Sequence, residues 1–302
     1  LEDISKLIAR RKLQDRVFGF VGIACTSLGL ITLLLLLTNL MIAGLGEIDW
    51  QFMTSFPSRF AGRSGILSSW VGSLLVMLVT GFTAVPLGVA AGVYMEEYGR
   101  KGILHKIIEI NISNLAGVPS IIYGLMALGV FVYMFGLERS VLTGGLTLAV
   151  LILPIVIVAT REALRTIPIH IREAAYALGA TKWQVIRHHL LPYSLGGIST
   201  GVIIAMSRAI GETAPLITIG SLTYIAFLPE PPLSTEPPFV SFEWLNSPFT
   251  VLPIQMFNWT SRPTEDFHKI AAAAGIVLIA ITLSMNAVAI VVRYRARKRI
   301  KW

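Results

Sequence analysis

The chain has 302 residues, of which 54% are hydrophobic and only 14% charged, and its mean hydropathy is +0.72. That composition lies outside the range of soluble domains and marks an integral membrane protein. The formal net charge of +8 does not indicate a nucleic-acid partner, because the basic residues flank apolar runs instead of alternating with aromatics on one face. Cys25 is the sole cysteine, and His105, His170, His188, His189 and His268 lack zinc-type spacing, so neither an internal disulfide nor a metal centre is expected. No Gly-x-x-x-x-Gly-Lys-Ser/Thr string occurs, so any ATPase must be a separate subunit.

Residues 1–16 carry Lys6, Arg10, Arg11, Lys12 and Arg16, and an apolar run then extends from Val17 to about Ala43. It is too long for a secretory signal core and reads as a retained transmembrane helix. Between Gly44 and Gly65, Trp50, Phe52 and Phe56 suggest an interfacial loop with aromatic anchors. A second span is expected over Ile66 to Met95, where Ala84, Gly88 and Gly92 give one face small enough for another helix to approach closely. Glu96 to Asn111 reads as a charged turn, and Ile112 to Phe135 as a third span. That span opens on Asn114, Gly117, Pro119, Ser120, Tyr123 and Gly124, helix breakers and polar groups that are tolerated at membrane depth only against protein or a water-filled path.

A fourth span, Val141 to Thr160, leads into the polar island Arg161 to Pro192. After Pro168, Ile169 to Leu178 reads as a short helix that Gly179 ends with a left-handed cap. Thr181 starts a second helix through a capping box with Gln184, and Pro192 closes the segment. Ala174, Ala175 and Ala177 leave the first helix thin enough to enter a groove, with Arg172 and Glu173 placed to fix it there. A fifth span is expected from Gly197 to about Leu228 and a sixth from Ile270 to Val292. Between them Pro229 to Phe267 holds eight of the fifteen prolines, including Pro231-Pro232 and Pro237-Pro238, and should form an ordered cap. It suits either a docking surface for a binding protein or a plain lid, and Thr250 to Gln255 with Asn258-Trp259 suggests a short interfacial helix within it.

Cytoplasmic loops retain Lys and Arg. With the N-terminus inside, the inner segments hold the five residues already named. They also hold Arg100, Lys101 and Lys106, then Arg161, Arg165, Arg172, Lys182 and Arg187, and the six of the tail from Arg293 to Lys301. The outer segments hold Arg59, Arg63, Arg139 and Arg262, so the expected orientation has both termini and the polar island in the cytoplasm.

Inside the fifth span, Arg208 and Glu212 lie four apart and share a helix face, while Gly211 and Pro215 weaken the helix beside them. A charge at this depth costs about 2.5–3.5 kcal/mol and should face a cavity or a partner. Two readings fit, a substrate contact or a structural ion pair.

The pattern Glu173-Ala174-Ala175, three residues, Gly179, and Leu191-Pro192 twelve further on resembles the EAA loop of ABC importer permeases. His189 stands where that pattern has an aliphatic residue. The strings Asn114 to Gly124 and Arg208-Ala-Ile-Gly-Glu212-Thr-Ala-Pro-Leu216, with Arg161-Glu162 and Leu252-Pro-Ile-Gln255, are similar to phosphate-specific members of that family. The resemblance implies an all-α, polytopic type I importer permease fold with six transmembrane helices. Its implied parts are a tail, first helix and outer loop (1–65), a permease domain (66–292) and a basic tail (293–302). Within the permease domain lie a coupling loop (161–196) and an extracytoplasmic loop (229–268). It further implies a substrate path with Arg208, Glu212, Thr213 and Arg161, and coupling to an ATPase through Glu173, Ala174, Ala175 and Gly179. The implied partners are phosphate, a second permease subunit, a dimer of ATP-binding subunits that would hold ATP and Mg, and an extracytoplasmic phosphate-binding protein. No cofactor is expected in this chain, and the expected location is a bacterial or archaeal cytoplasmic membrane.

Overall fold

The computed structural model describes residues 2–99, 102–232, 239 and 241–298. Arg100, Lys101, Pro237-Pro238, Arg299 and Lys301 lie outside the described residues. The described residues form helices α1 (Glu2–Gly44), α2 (Trp50–Thr54), α3 (Leu67–Val93), α4 (Ile103–Leu115), α5 (Ser120–Ala127) and α6 (Val141–Arg165). They continue with α7 (Ile169–Ala177), α8 (Lys182–Val185), α9 (Leu191–Ile210), α10 (Ala214–Thr218), α11 (Leu252–Thr260) and α12 (Glu265–Lys298). Five segments are long and apolar enough to cross a membrane, and α4 with α5 makes a sixth only as a pair bent by 105°. Among the described residues the fold is all-helical, with five candidate spans and a sixth if the bent pair counts as one.

The third span, expected over Ile112 to Phe135 with helix breakers at its start, begins earlier and is broken at those residues. Helix starts at Ile103, within the expected charged turn, stops at Leu115 and resumes at Ser120 after Gly117 and Pro119. A π turn, Leu128–Met134, then prolongs α5. Pro119 lacks an N–H and biases Val118 away from helical backbone, which accounts for the break. Tyr123 bridges it, donating its hydroxyl to the Leu115 carbonyl at 2.7 Å.

Helix α6 is the buried centre. Small residues let its neighbours close in: a Cβ on Gly88 would stand 2.7 Å from Val156 Cγ1, and one on Gly92 would stand 2.7 Å from Thr160 Cβ. Ala84, Gly88 and Gly92 are all buried, so the predicted small face of α3 is its contact with α6. Gly197 and Gly201 of α9 sit in the same way against Ala163 and Ala159, which makes α9 antiparallel to α6. Helix α1 is exposed along nearly its whole length and approaches the bundle only near Gly44, where α12 comes close enough that a Cβ would meet Ala273 N at 2.5 Å.

Two expectations near the segment from Lys182 to Leu228 change. Pro192 does not close the polar island: α8, the π turn Ile186–Leu190 and α9 run on continuously, and the span covers Lys182–Ile210. The Leu191 amide bonds the carbonyl of Ile186, five residues back, and this wider turn accommodates the proline ring that would crowd an α-helical carbonyl. The span also ends earlier than Leu228, at Gly211, since Pro215 can only open a new helix there.

The cap after α10 is packed into the bundle. Trp259 and Gln255 are buried, and the Gln255 amide donates to the Thr223 carbonyl at 3.1 Å while accepting from Trp259 Nε1 at 2.8 Å. The short helix expected here is present as α11, and its first turn packs into the bundle, the Leu252 amide donating to Ser73 Oγ at 2.9 Å. Phe52, expected as a membrane anchor, is buried instead with its ring 6.3 Å from that of Trp259, whereas Trp50 is exposed.

Candidate functional site

Two helix breaks meet on one side of the bundle. Helix α9 ends at Ile210, and after Gly211, Glu212 and Thr213 the short α10 begins with Pro215 in its first turn. Helix α5 packs directly on α10: a Cβ on Gly124 would lie 2.6 Å from Pro215 Cα and would overlap Thr218 Oγ1. The two breaker-rich strings thus form one unit. Gly220, at φ +86°, ends α10, and the amides of Gly220 and Ser221 bond the carbonyls of Ile217 and Leu216.

Arg208 stands one turn before this break. Its Nε donates to Glu212 Oε1 at 3.3 Å, and that is its sole ion pair among the described residues. Its side chain is 42% exposed against 19% for Glu212, so the guanidinium keeps an open side. Neighbouring residues hold the helix in place: Ala209 and Ile210 are buried, and Ser207 Oγ donates to Asn286 Oδ1 of α12 at 2.8 Å. Chemically, the site is a planar cationic fork steadied by one carboxylate, beside backbone freed from helical bonding.

Arg161 lies elsewhere. The antiparallel register of α6 and α9 puts it about nine residues, roughly 13 Å of helix, from the level of Arg208. It is 3% exposed, with Nη2 2.8 Å from Glu109 Oε1 and Nε 3.6 Å from Glu96 Oε2. Arg165 joins the cluster through Glu96 at 3.0 Å, Glu109 at 3.2 Å and Glu162 at 3.1 Å. The compensation for burial is electrostatic, from the two nearby carboxylates, since neither Nε nor Nη2 of Arg161 makes a well-directed hydrogen bond. Thr213, by contrast, is at the α10 break, where its carbonyl accepts from the amides of Leu216 and Ile217.

The polar island forms a helix–turn–helix. Gly179 takes φ +81°, the Gly179 and Ala180 amides bond the carbonyls of Tyr176 and Ala175, and the Thr181–Gln184 capping box is present. Helix α7 has two different faces. Ala175 is buried, with Ile171 packed beside it against Val185, Ile186 and Leu190, whereas Ile169, Glu173, Ala174, Tyr176, Ala177 and Leu178 are exposed. Arg172 does not flank the outward face with Glu173. It turns inward, where its Nη2 meets Glu97 Oε1 at 2.9 Å. Sequence reasoning missed this pair because Glu96 to Asn111 was read as a turn, so Glu97 had no assigned position.

Comparison with known proteins fits this geometry. Residues 84–302 match the family described as binding-protein-dependent transport system inner membrane component. The phosphate transport system permease protein PstA of Yersinia pestis is 32% identical over 298 residues, covering 97% of this chain and 94% of that protein. A probable ABC transporter permease protein, YqgI of Bacillus subtilis, is 30% identical over 280 residues, covering 91% and 94%. Among solved structures, an inward-facing form of the MetNI methionine ABC transporter superposes with a TM-score of 0.59 at 17% identity, covering 74% of this chain and 93% of the matched one. In this family ATP hydrolysis belongs to a separate subunit. The chain belongs to the binding-protein-dependent inner membrane components of ABC importers, as a multi-pass permease subunit.

Proposed function

We propose that this permease subunit carries inorganic phosphate into the cytoplasm. It would do so beside a second permease subunit, with an extracytoplasmic phosphate-binding protein delivering the ion and a pair of ATP-binding subunits driving the cycle. The observation that carries the reading is the Arg208–Glu212 pair at the meeting of two broken helices. Guanidinium can bond two oxygens of one oxyanion and stays charged at any physiological pH. Glu212 neutralises it when the path is empty, so the arriving anion replaces one carboxylate partner and no isolated charge is left in low dielectric. Support also comes from relatives of about 30% identity that bear a phosphate-permease name.

In this reading residues 161–196 face the cytoplasm, where α7 offers Glu173, Ala174 and Ala177 with the exposed Ile169, Tyr176 and Leu178 to a cleft of the ATPase. Residues 229–268 then cap the outer side. The chain performs no covalent chemistry: access to Arg208 alternates as the partner ATPases close and open.

The test is uptake of labelled phosphate by cells whose only phosphate importer contains this chain, challenged with excess sulfate, molybdate or unlabelled phosphate. Only unlabelled phosphate should compete, and suppression by sulfate or molybdate at equal concentration would assign the path to another oxyanion. Orientation is checked in a Cys25→Ser background, where an impermeant thiol reagent should reach Ser261→Cys but not Lys182→Cys in intact cells. The reverse pattern would invert the topology.

A further inference from the structure

Two adjacent glutamates at the end of α3 serve different helices. The π turn Tyr94–Tyr98 prolongs α3 and carries Glu96 and Glu97. Glu96 pairs with Arg161 and Arg165 at the end of α6, whereas Glu97 pairs with Arg172 of α7. Glu97 is the more deeply placed, with its side chain 7% exposed.

Arg172 is fully engaged. Its Nε and Nη2 donate to Glu97 Oε1 at 3.2 and 2.9 Å, its Nη1 donates to the Ile167 carbonyl at 2.9 Å, and its Nη2 also reaches the Leu164 carbonyl at 3.1 Å. Those carbonyls are at and just beyond the end of α6, so one guanidinium joins α7, the end of α6 and the end of α3. Besides this clamp, α7 is held by the chain through Thr166–Pro168, by the turn at Gly179 and by a small aliphatic cluster around Ala175 that also includes Val93 of α3. Aliphatic contacts slide with little directional resistance, whereas a charge-assisted, multiply bonded fork has a fixed geometry.

We propose that the Glu97–Arg172 pair is a positioning device that turns displacement of α7 into movement of α3. It rests on the reading of α7 as the helix that docks the ATPase. A push on the exposed face of α7 reaches its inward face at Arg172, passes to Glu97, and moves α3, which packs on α6 through Gly88 and Gly92. Without the clamp, α7 shifts between Pro168 and Gly179 while α3 stays behind. ATP hydrolysis then continues with little change of access at the α9–α10 break.

The experiment uses the complete transporter in lipid nanodiscs, with Ile217→Cys on α10 as an accessibility reporter in a Cys25→Ser background. The reaction rate of that thiol with a small reagent is compared between the nucleotide-free and vanadate-trapped states, alongside ATP hydrolysis. Glu97→Gln, Arg172→Gln and the double substitution should each leave hydrolysis within about twofold and cut the trapping-dependent rate change about fivefold. The three losses should be equal, since a shared link can be broken only once. Losses that multiply in the double variant, or an undiminished rate change in the singles, would overturn the proposal. Should Glu97→Gln fail to assemble, Glu97→Asp, which keeps the charge and shortens the reach, is judged by the same criterion. A parental complex with no trapping-dependent change would instead overturn the docking reading itself, and this proposal with it.

Discussion

If Arg208 holds the anion as proposed, Arg208→Gln should lower phosphate import roughly a hundredfold or more, because two charge-assisted hydrogen bonds to the ion, each worth about 1.5–3 kcal/mol, would be removed. Arg208→Lys should keep part of the activity, since a point charge replaces a planar fork. The single change has a second consequence, as it leaves Glu212 without its partner 3.3 Å away. Combining Arg208→Gln with Glu212→Gln separates the two effects. If the pair only holds the break together, the doubly neutral site still hydrogen-bonds, and assembly and import return together. If Arg208 serves the anion, the double variant assembles in parental yield and fails to import. Full recovery of uptake would rule out the substrate role.

Gly179→Asp should reduce import about tenfold while the complex still assembles. The position has open space around it, with nothing within 4 Å of an added Cβ, so the effect is not steric. It comes from φ +81°, a left-handed backbone that costs an ordinary side chain about 1–2 kcal/mol and that Asp tolerates better than most. The strain alters how α7 ends, and the new carboxylate is placed one residue after the exposed Leu178 on the proposed docking face. Gly179→Ala carries the strain without the charge and should fall between the parent and Gly179→Asp. Parental uptake in the aspartate variant, measured per assembled complex, would remove this loop from the coupling path.

What could be read in advance was whatever depends on local chemistry. The capping box at Thr181, the left-handed end of α7, the small face of α3 and the pairing of Arg208 with Glu212 each need only a few neighbouring residues, and all are present. The misreadings arose where distant partners decide. Pro192 looked like a terminator, but a π turn before it carries the helix onward, and composition does not reveal that register shift. Phe52 looked like a membrane anchor because its partner Trp259 lies some two hundred residues later. Arg161 stands with Arg208 in the family pattern, and Glu96 and Glu109 hold it about nine residues along α6 from the level of Arg208, a separation that no local pattern shows. Helix from Ile103 to Leu115 was missed because its charged residues suggested a turn, when one of them, Glu109, is the partner of the buried Arg161.

The most direct test of the whole account is isolation of the intact complex through a tag on this chain, followed by reconstitution into liposomes with the extracytoplasmic binding protein. The account predicts uptake of labelled phosphate that requires three things together: ATP on the side of α7, the binding protein on the side of α11, and an unsubstituted Arg208. Phosphate uptake that persists without ATP, or a complex that hydrolyses ATP with its binding protein yet moves no phosphate, would contradict it.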